Sequence, residues 1–191
     1  MSVHESIAQL RADMRAEGIV QEEGLGQELF HFASSLMPVV NVDLLVFNSA
    51  GEVLLSWRDD AHCGRGWHVP GGCLRLGETF ARRIQKTAQA EFGTSVRHAP
   101  KPAGVFELFT RYHRDGLEDQ RERSHFITLP FACVLMPGST LRMAGEIPGP
   151  GDLRWFADLP GNLLKTQSCY WTDWTEIYKA AWRDYNGILE E

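Results

Sequence analysis

The chain has 191 residues, of which 43% are hydrophobic, and it carries a formal net charge of −6. This size and hydrophobic fraction fit one globular domain with a continuous core. The negative charge argues against a general nucleic-acid surface, whose phosphate contacts require clustered Lys and Arg. No apolar run approaches the roughly 20 residues needed to cross a bilayer, so we expect neither a nucleic-acid nor a membrane partner.

Cysteine usage indicates a reducing compartment. The four cysteines are Cys63, Cys73, Cys133 and Cys169. They form no close pair of the kind that binds zinc or runs redox chemistry, and no secretory leader precedes them. We therefore expect a cytoplasmic protein.

The first 36 residues are interpreted as a helical extension. Apolar residues recur at helical spacing between Ser2 and Glu17, and a second apolar-rich stretch runs from Leu29 to Leu36. These extra helices could build a homodimer. The predicted main domain then covers residues 37–166, and residues 167–191 form a C-terminal helix packed on it.

Two β-rich runs open the main domain, from Val39 to Phe47 and from Glu52 to Trp57. The intervening residues 48–51 include Asn and Gly, which tolerate the backbone angles of a tight turn. The sequence therefore predicts a β-hairpin.

A glycine pair and a helix follow. Gly71 and Gly72 precede a predicted helix from Gly77 to Phe92, which Gly93 can close as a C-terminal cap. By itself, the glycine pair could be no more than a tight turn.

A carboxylate lies on the apolar stripe of this helix. Phe80, Ile84 and Ala88 form the stripe, and Glu91 projects roughly 20° from Ile84. An unpaired carboxylate there would cost several kcal/mol or become neutral, so it should face a cation, an arginine or a water-filled cleft. Mg²⁺ suits this position because it prefers oxygen ligands. The alternative is a buried glutamate paired with an arginine.

The remaining elements follow in chain order. Two strands, separated by the charged loop 114–123, precede a short strand, a turn and a closing helix. Their predicted ranges are Val105 to Tyr112, Phe126 to Met136, Leu153 to Phe156, Pro160-Gly161 and Trp171 to Tyr185.

The spacing around the glycine pair resembles a Nudix box. With the first Gly of that pattern on Gly72, the residues Glu78, Glu91 and Gly93 fall in register. Other positions depart from the pattern: Lys86 stands for an Arg, Thr87 and Ala90 replace two of three clustered glutamates, and Thr94 replaces an apolar residue.

The departures are similar to the altered box of the GDP-mannose mannosyl hydrolases. There the run Arg-Leu-Thr-Met-Ala-Glu-Leu-Gly corresponds to Lys-Thr-Ala-Gln-Ala-Glu-Phe-Gly here, and the likeness extends from Val42 to Phe156. The resemblance implies an α/β fold, the Nudix α/β/α sandwich with a mixed sheet. It also implies a nucleoside diphosphate sugar, GDP-mannose-like, as substrate.

The resemblance further implies roles for particular residues. The backbone carbonyl of Gly71 and the side chain of Glu91 would hold Mg²⁺, for which Mn²⁺ could substitute. Arg58 would bind the diphosphate, since a guanidinium can donate two bonds to one phosphate; the alternative is a solvated surface residue. Asp43 would lie beside the sugar; the alternative is a solvent-facing position on its strand.

The catalytic base is not found where the family has it. Family members place a Gln and a His in a loop where this chain has Gly149 and Pro150. Glu146 is our predicted catalytic carboxylate, and Asp152 and Glu107 are alternatives.

Two other residues receive structural interpretations. Glu78 could brace the box loop, but an i,i+4 pair with Arg82 is favoured. His125 matches a family histidine and is expected to make a structural hydrogen bond.

Three functions are therefore open. One carboxylate in the box suits attack at the sugar carbon, with a metal stabilising the departing nucleoside diphosphate. The alternatives are a general Nudix diphosphohydrolase that cleaves at phosphorus and a non-catalytic Nudix-fold binding module.

Overall fold

The computed structural model describes residues 2–19, 24–60, 63–109, 125–167, 170 and 174–190. Within these ranges lie four α-helices: α1 (Val3–Ala16), α2 (Gln27–Leu36), α3 (Phe80–Phe92) and α4 (Trp174–Glu190). The strands are β1 (Val39–Val46), β2 (Val53–Asp60), β3 (Gly64–His68), β4 (Gly71–Cys73), β5 (Val96–His98), β6 (Phe106–Phe109), β7 (His125–Leu135) and β8 (Leu153–Phe156). The predicted loop 114–123 and Cys169 lie outside the described residues.

The strands form two sheets. The larger has the order β4-β1-β7-β5, with β6 also paired to β7, and the smaller has the order β3-β2-β8. The β1–β7 pair is parallel, whereas β4, β5 and β6 pair antiparallel to their neighbours. The larger sheet is therefore mixed, as predicted.

The predicted hairpin of β1 and β2 is wrong. The two strands belong to different sheets and share one antiparallel bridge, between Phe47 and Val53. At the turn itself, the backbone N–H of Asn48 donates to the carbonyl of Glu52 at 3.1 Å. β7 pairs with β1 along one edge from Val39 to Val46 and β4 pairs with the other edge at Asn41–Asp43, whereas β2 pairs with β3 and β8.

Helices cover both faces of the larger sheet. Val42, Leu44 and Val46 of β1 pack in one buried cluster with Ile84 and Ala88 of α3. Leu45 and Phe47 point to the other face, in a second cluster that includes Ile177 and Ala181 of α4. This alternation follows from the two-residue period of a strand, and it gives the predicted helix–sheet–helix arrangement.

The box helix begins later than predicted. It starts at Phe80, where the side chain of Thr79 accepts a hydrogen bond from the backbone of Arg82. It ends at Phe92 and is capped by Gly93, whose φ of 68° is the left-handed conformation expected of a glycine cap. Ile84 and Ala88 are fully buried, as the apolar stripe requires, but Phe80 at the first turn is 42% exposed.

The terminal helices differ in their packing. α1 has a capping box formed by Ser2 and Glu5, and none of its residues is buried. By contrast, α4 extends to Glu190 and buries Tyr185 and Ile188 in the core. The homodimer and the division at residues 36 and 166 stay predictions. In the part of the chain that the structure describes, no helix combines the length and hydrophobicity of a membrane span.

Candidate active site

Three elements bring polar side chains into one cleft of about 550 Å³. β2 contributes Arg58, β3 contributes His68 and the last turn of α3 contributes Glu91. Ser56 and His68 are register partners in the β2–β3 pair, so both side chains belong to the same face of the smaller sheet. Sheet pairing and the helical stripe together thus place three chemically active groups within reach of one another.

Glu91 faces a different partner with each carboxylate oxygen. Its Oε1 lies 3.9 Å from a terminal nitrogen of Arg58, and its Oε2 lies 3.9 Å from Nε2 of His68. Both separations exceed a hydrogen bond. Burial raises the pKa of Glu91 above its ordinary value, opposed by the charge of Arg58 and the hydroxyl of Ser56. The carboxylate of Glu91 is therefore half-buried and loosely paired.

His68 is a neutral ring with one nitrogen engaged. Its Nδ1 lies 2.8 Å from the carbonyl oxygen of Ser56 and donates to it, because a carbonyl can only accept. Burial, reinforced by the charge of Arg58, lowers the pKa of His68 to about 3. Nε2 therefore carries a lone pair, and it is a buried atom with no hydrogen-bond partner among the described residues.

This pair of groups fits a divalent cation. A carboxylate oxygen of Glu91 and the lone pair on Nε2 of His68 lie 3.9 Å apart, and both groups are ligands of first-row metal ions. No set of three such ligands is grouped within the described residues. A cation here would complete its coordination with substrate phosphates or water, as Mg²⁺ commonly does.

Arg58 is held in place by neighbours of its own strand and the following loop. Its Nε lies 3.5 Å from a carboxylate oxygen of Asp60, and its Nη1 donates to the sulfur of Cys63 at 3.6 Å. With Glu91 on a third side, the guanidinium is oriented towards the cleft that it lines.

The glycine pair is part of a strand and not a turn. Gly71 is the register partner of Asp43, and a Cβ at Gly71 would lie 2.0 Å from Oδ1 of Asp43. A Cβ at Gly72 would lie 2.8 Å from the hydroxyl oxygen of Thr87. These glycines are needed for close approach, to β1 in one case and to α3 in the other. Gly71 does not line the cleft, and its role as a carbonyl ligand stays a prediction.

Asp43 is buried, so the solvent-facing interpretation is wrong. Its side chain is 1% exposed and accepts hydrogen bonds from Thr128 and Tyr170 at 2.7 Å each, and from Asn41. Burial raises the pKa of Asp43 to about 6, although these donors and Arg58 lower it. Asp43 does not line the cleft, and its predicted place beside the sugar stays a prediction.

Glu78 braces the box loop and does not pair with Arg82. It lies before α3, where its carboxylate contacts Arg83 at 2.7 Å and Lys86 at 3.4 Å and accepts from the backbone of Arg75. Burial acts to raise the pKa of Glu78, but these donors hold it below its ordinary value. The i,i+4 geometry fails because the helix begins two residues after Glu78.

The candidate bases are dispersed. Glu146 is exposed in a loop and does not line the cleft. Asp152 accepts from Arg142 and from the backbone of Gly149, both at 2.7 Å, so it fastens its own loop. Glu107 lies on β6, 3.6 Å from His125, outside the cleft. The assignment of a base to Glu146 stays a prediction.

The family model for the NUDIX domain matches residues 37–163. The chain belongs to the NUDIX domain family. The box residues in register, the mixed sheet and the flanking helices agree with this, and the prediction of a Nudix-type hydrolase with an α/β/α fold is confirmed. Nudix hydrolases act on small nucleotide substrates and generally use a divalent metal such as Mg²⁺.

Known proteins resemble this Nudix chain over different lengths. The low-salt glycan biosynthesis protein Agl8 of Haloferax volcanii is 30% identical over 99 residues, which are 52% of this chain and 60% of that protein. The crystal structure of a UDP-X diphosphatase has a TM-score of 0.52 at 20% identity and covers 96% of this chain and 80% of its own. A possible asymmetric diadenosine tetraphosphate hydrolase from Jonesia denitrificans has a TM-score of 0.53 at 18% identity, covering 78% and 97%. These two structures show the fold.

No local sequence pattern singles out His68. The residue stands in the run Trp67-His68-Val69, where an apolar neighbourhood suggests an ordinary core position. Strand alternation could have separated His68 from Trp67, but only the β2–β3 register shows that its face is shared with Ser56 and Arg58.

Proposed function

We propose that this Nudix hydrolase uses a divalent metal to hydrolyse a nucleoside diphosphate sugar, of the GDP-mannose type, into sugar and nucleoside diphosphate. The observation that carries the proposal is the meeting of Arg58 and Glu91 in one cleft of about 550 Å³. This size is within the range of small-molecule sites. The altered box and the glycan-biosynthesis name of the Haloferax volcanii relative support a substrate that contains a sugar.

The roles of the residues follow from their chemistry. Arg58 would bind the diphosphate with its guanidinium fork, which matches phosphate geometry. Glu91, with the carbonyl of Gly71, would hold the metal. When bound, the metal offsets negative charge on the departing diphosphate. We also propose that Asp43 lies beside the sugar and that Glu146 acts as the base, as the sequence predicts. Neither residue lines the cleft.

The loss of two of the three clustered box glutamates supports attack at carbon over attack at phosphorus. Stabilising a leaving group requires fewer ligands than activating water with several metal ions. Thr87 and Ala90, which stand where other Nudix boxes have glutamates, offer no carboxylate to further metal ions.

The test is a panel of nucleoside diphosphate sugars with Mg²⁺ in ¹⁸O-labelled water. We expect free sugar carrying the label, together with unlabelled nucleoside diphosphate. Nucleoside monophosphate with label on phosphate would instead make the protein a general diphosphohydrolase. Thermal stabilisation by a nucleotide sugar without turnover would favour the binding module.

Variants connect the activity to the cleft. Glu91→Gln should lower kcat by on the order of 100-fold or more, because it removes the charge that holds the metal. Glu176→Gln makes the same chemical change at an exposed position of α4 and should leave kcat unaltered. Full activity in Glu91→Gln would contradict the proposed role of this residue.

A further inference from the structure

We propose that His68 is a metal ligand beside Glu91, and that its nitrogen makes this site prefer Mn²⁺ and other first-row ions over Mg²⁺. The inference rests on the proposed function only in placing a divalent cation at Glu91. It concerns which residues hold that cation and which cation they select.

The geometry of the pair is the first support. Nε2 of His68 and Oε2 of Glu91 are 3.9 Å apart, too far for a hydrogen bond. At metal–ligand distances of roughly 2.1 Å, two ligands of one cation are about 3.0 Å apart when cis and about 4.2 Å apart when trans. The observed separation lies between these values, so one cation can contact both atoms after a side-chain shift of less than about 1 Å.

The orientation of the ring is the second support. Nδ1 donates to the carbonyl of Ser56 at 2.8 Å, which fixes the ring plane and leaves the lone pair on Nε2. A metal-binding histidine typically donates its other ring N–H to a carbonyl or carboxylate in this way. The ring of His68 therefore already has the orientation and the hydrogen bond of a metal ligand.

The unmet polar atom is the third support. His68 is 4% exposed, and its Nε2 has no hydrogen-bond partner among the described residues. A buried acceptor without a partner is costly and calls for an explanation. A cation explains both this atom and the facing carboxylate oxygen, whereas Arg58 approaches the other oxygen of Glu91 and does not fill this gap.

The donor types decide the expected selectivity. Mg²⁺ takes oxygen ligands almost exclusively, whereas imidazole suits first-row transition ions. A site with one carboxylate and one imidazole should therefore bind Mn²⁺ more tightly than Mg²⁺, and the difference should depend on His68.

Pulsed EPR of Mn²⁺ bound to the 191-residue chain tests this without requiring turnover. We expect electron spin echo modulation from a directly bound ¹⁴N nucleus, replaced by the ¹⁵N pattern in protein labelled with ¹⁵N-histidine. His68→Gln should abolish the nitrogen modulation and weaken Mn²⁺ binding by about tenfold or more, with a smaller effect on Mg²⁺. His4→Gln, at an exposed position of α1, should change neither quantity.

The wild-type spectra keep the test decisive even if His68→Gln fails to fold. Bound Mn²⁺ without nitrogen modulation would overturn the inference, as would nitrogen modulation that persists in His68→Gln. Absence of Mn²⁺ binding to the wild-type protein would also overturn it. If hydrolysis with Mg²⁺ persists in any of these cases, the proposed function stands and only the role of His68 fails. A nitrogen signal without hydrolysis would support His68 as a ligand and contradict the proposed function.

Discussion

Two carboxylates on neighbouring elements, Asp43 buried and Glu91 half-buried, have opposite surroundings. Asp43 is 1% exposed and receives hydrogen bonds from Thr128, Tyr170 and Asn41. The side chain of Glu91 is 20% exposed, and its contacts with Arg58 and His68 are both 3.9 Å long. A carboxylate whose oxygens are already satisfied supports the fold, whereas one with loose partners is available to a ligand.

Replacing each carboxylate by alanine should give the largest difference in stability between the residue that supports the fold, Asp43, and the one available to a ligand, Glu91. Asp43→Ala leaves the hydroxyls of Thr128 and Tyr170 without their acceptor, and we expect the free energy of unfolding to fall by about 3 kcal/mol. Glu91→Ala should stay within about 1 kcal/mol of the wild type, because burial already disfavours its charged form. Urea denaturation without added metal measures both. Equal losses of unfolding free energy in the two variants would contradict the distinction between a structural Asp43 and a ligand-binding Glu91.

The pH dependence of stability tests the environment of Asp43. Its folded pKa of about 6 lies above the ordinary value of 3.8, so its protonation stabilises the folded state. That contribution is fully present below pH 3.8 and is lost as the pH rises through 6, a change of about 3 kcal/mol.

The measurement is the difference in unfolding free energy between the wild type and Asp43→Asn. The unfolding free energy of the wild type should fall relative to that of Asp43→Asn as the pH rises from 4 to 6, because only the wild type loses the stabilisation that comes from protonated Asp43. His68 titrates in the opposite sense, since its folded pKa of about 3 is below 6.5, but it is present in both proteins and cancels. A pH-independent difference would contradict the raised pKa of Asp43.

Gly71, in the Nudix box, packs directly against the carboxylate of Asp43. Gly71→Ala would place a Cβ 2.0 Å from Oδ1 of Asp43, so β4 or Asp43 must move, and we expect a loss of about 2 kcal/mol. Gly161→Ala is the control, because a Cβ there meets nothing within 4 Å. Thermal and urea unfolding of the pair measure the difference. A Gly71→Ala variant as stable as the control would show that Asp43 and β4 can accommodate the added methyl group without loss of stability.

Glu78 is a third carboxylate with close partners, and the expected effect of changing it is smaller. Its side chain is 1% exposed and paired with Arg83 and Lys86, so Glu78→Gln should lower the unfolding free energy by about 1 to 2 kcal/mol. Arg82→Ala should change it by less than about 0.5 kcal/mol, because Arg82 is not the partner of Glu78. If urea denaturation showed a larger loss for Arg82→Ala than for Glu78→Gln, the predicted i,i+4 pair of Glu78 with Arg82 would be supported instead.

Local patterns determined much of this protein. The spacing of Gly72, Glu78, Glu91 and Gly93 indicated the Nudix family, which the family model confirms. Helical periodicity put Ile84 and Ala88 in the core, and the glycine cap at Gly93 ended α3 as predicted. These features depend on residues within a few turns of one another, so the sequence carries them directly.

Tertiary structure alone decided which strands pair and which groups meet. The turn at residues 48–51 predicts a hairpin, but β1 pairs with β4 and β7 while β2 pairs with β3 and β8 in the other sheet. Asp43 is buried because β7 and Tyr170 bring donors from 85 and 127 residues away. His68 meets Glu91 only through the β2–β3 register and the packing of α3. Such contacts join residues distant in sequence, and no local periodicity encodes them.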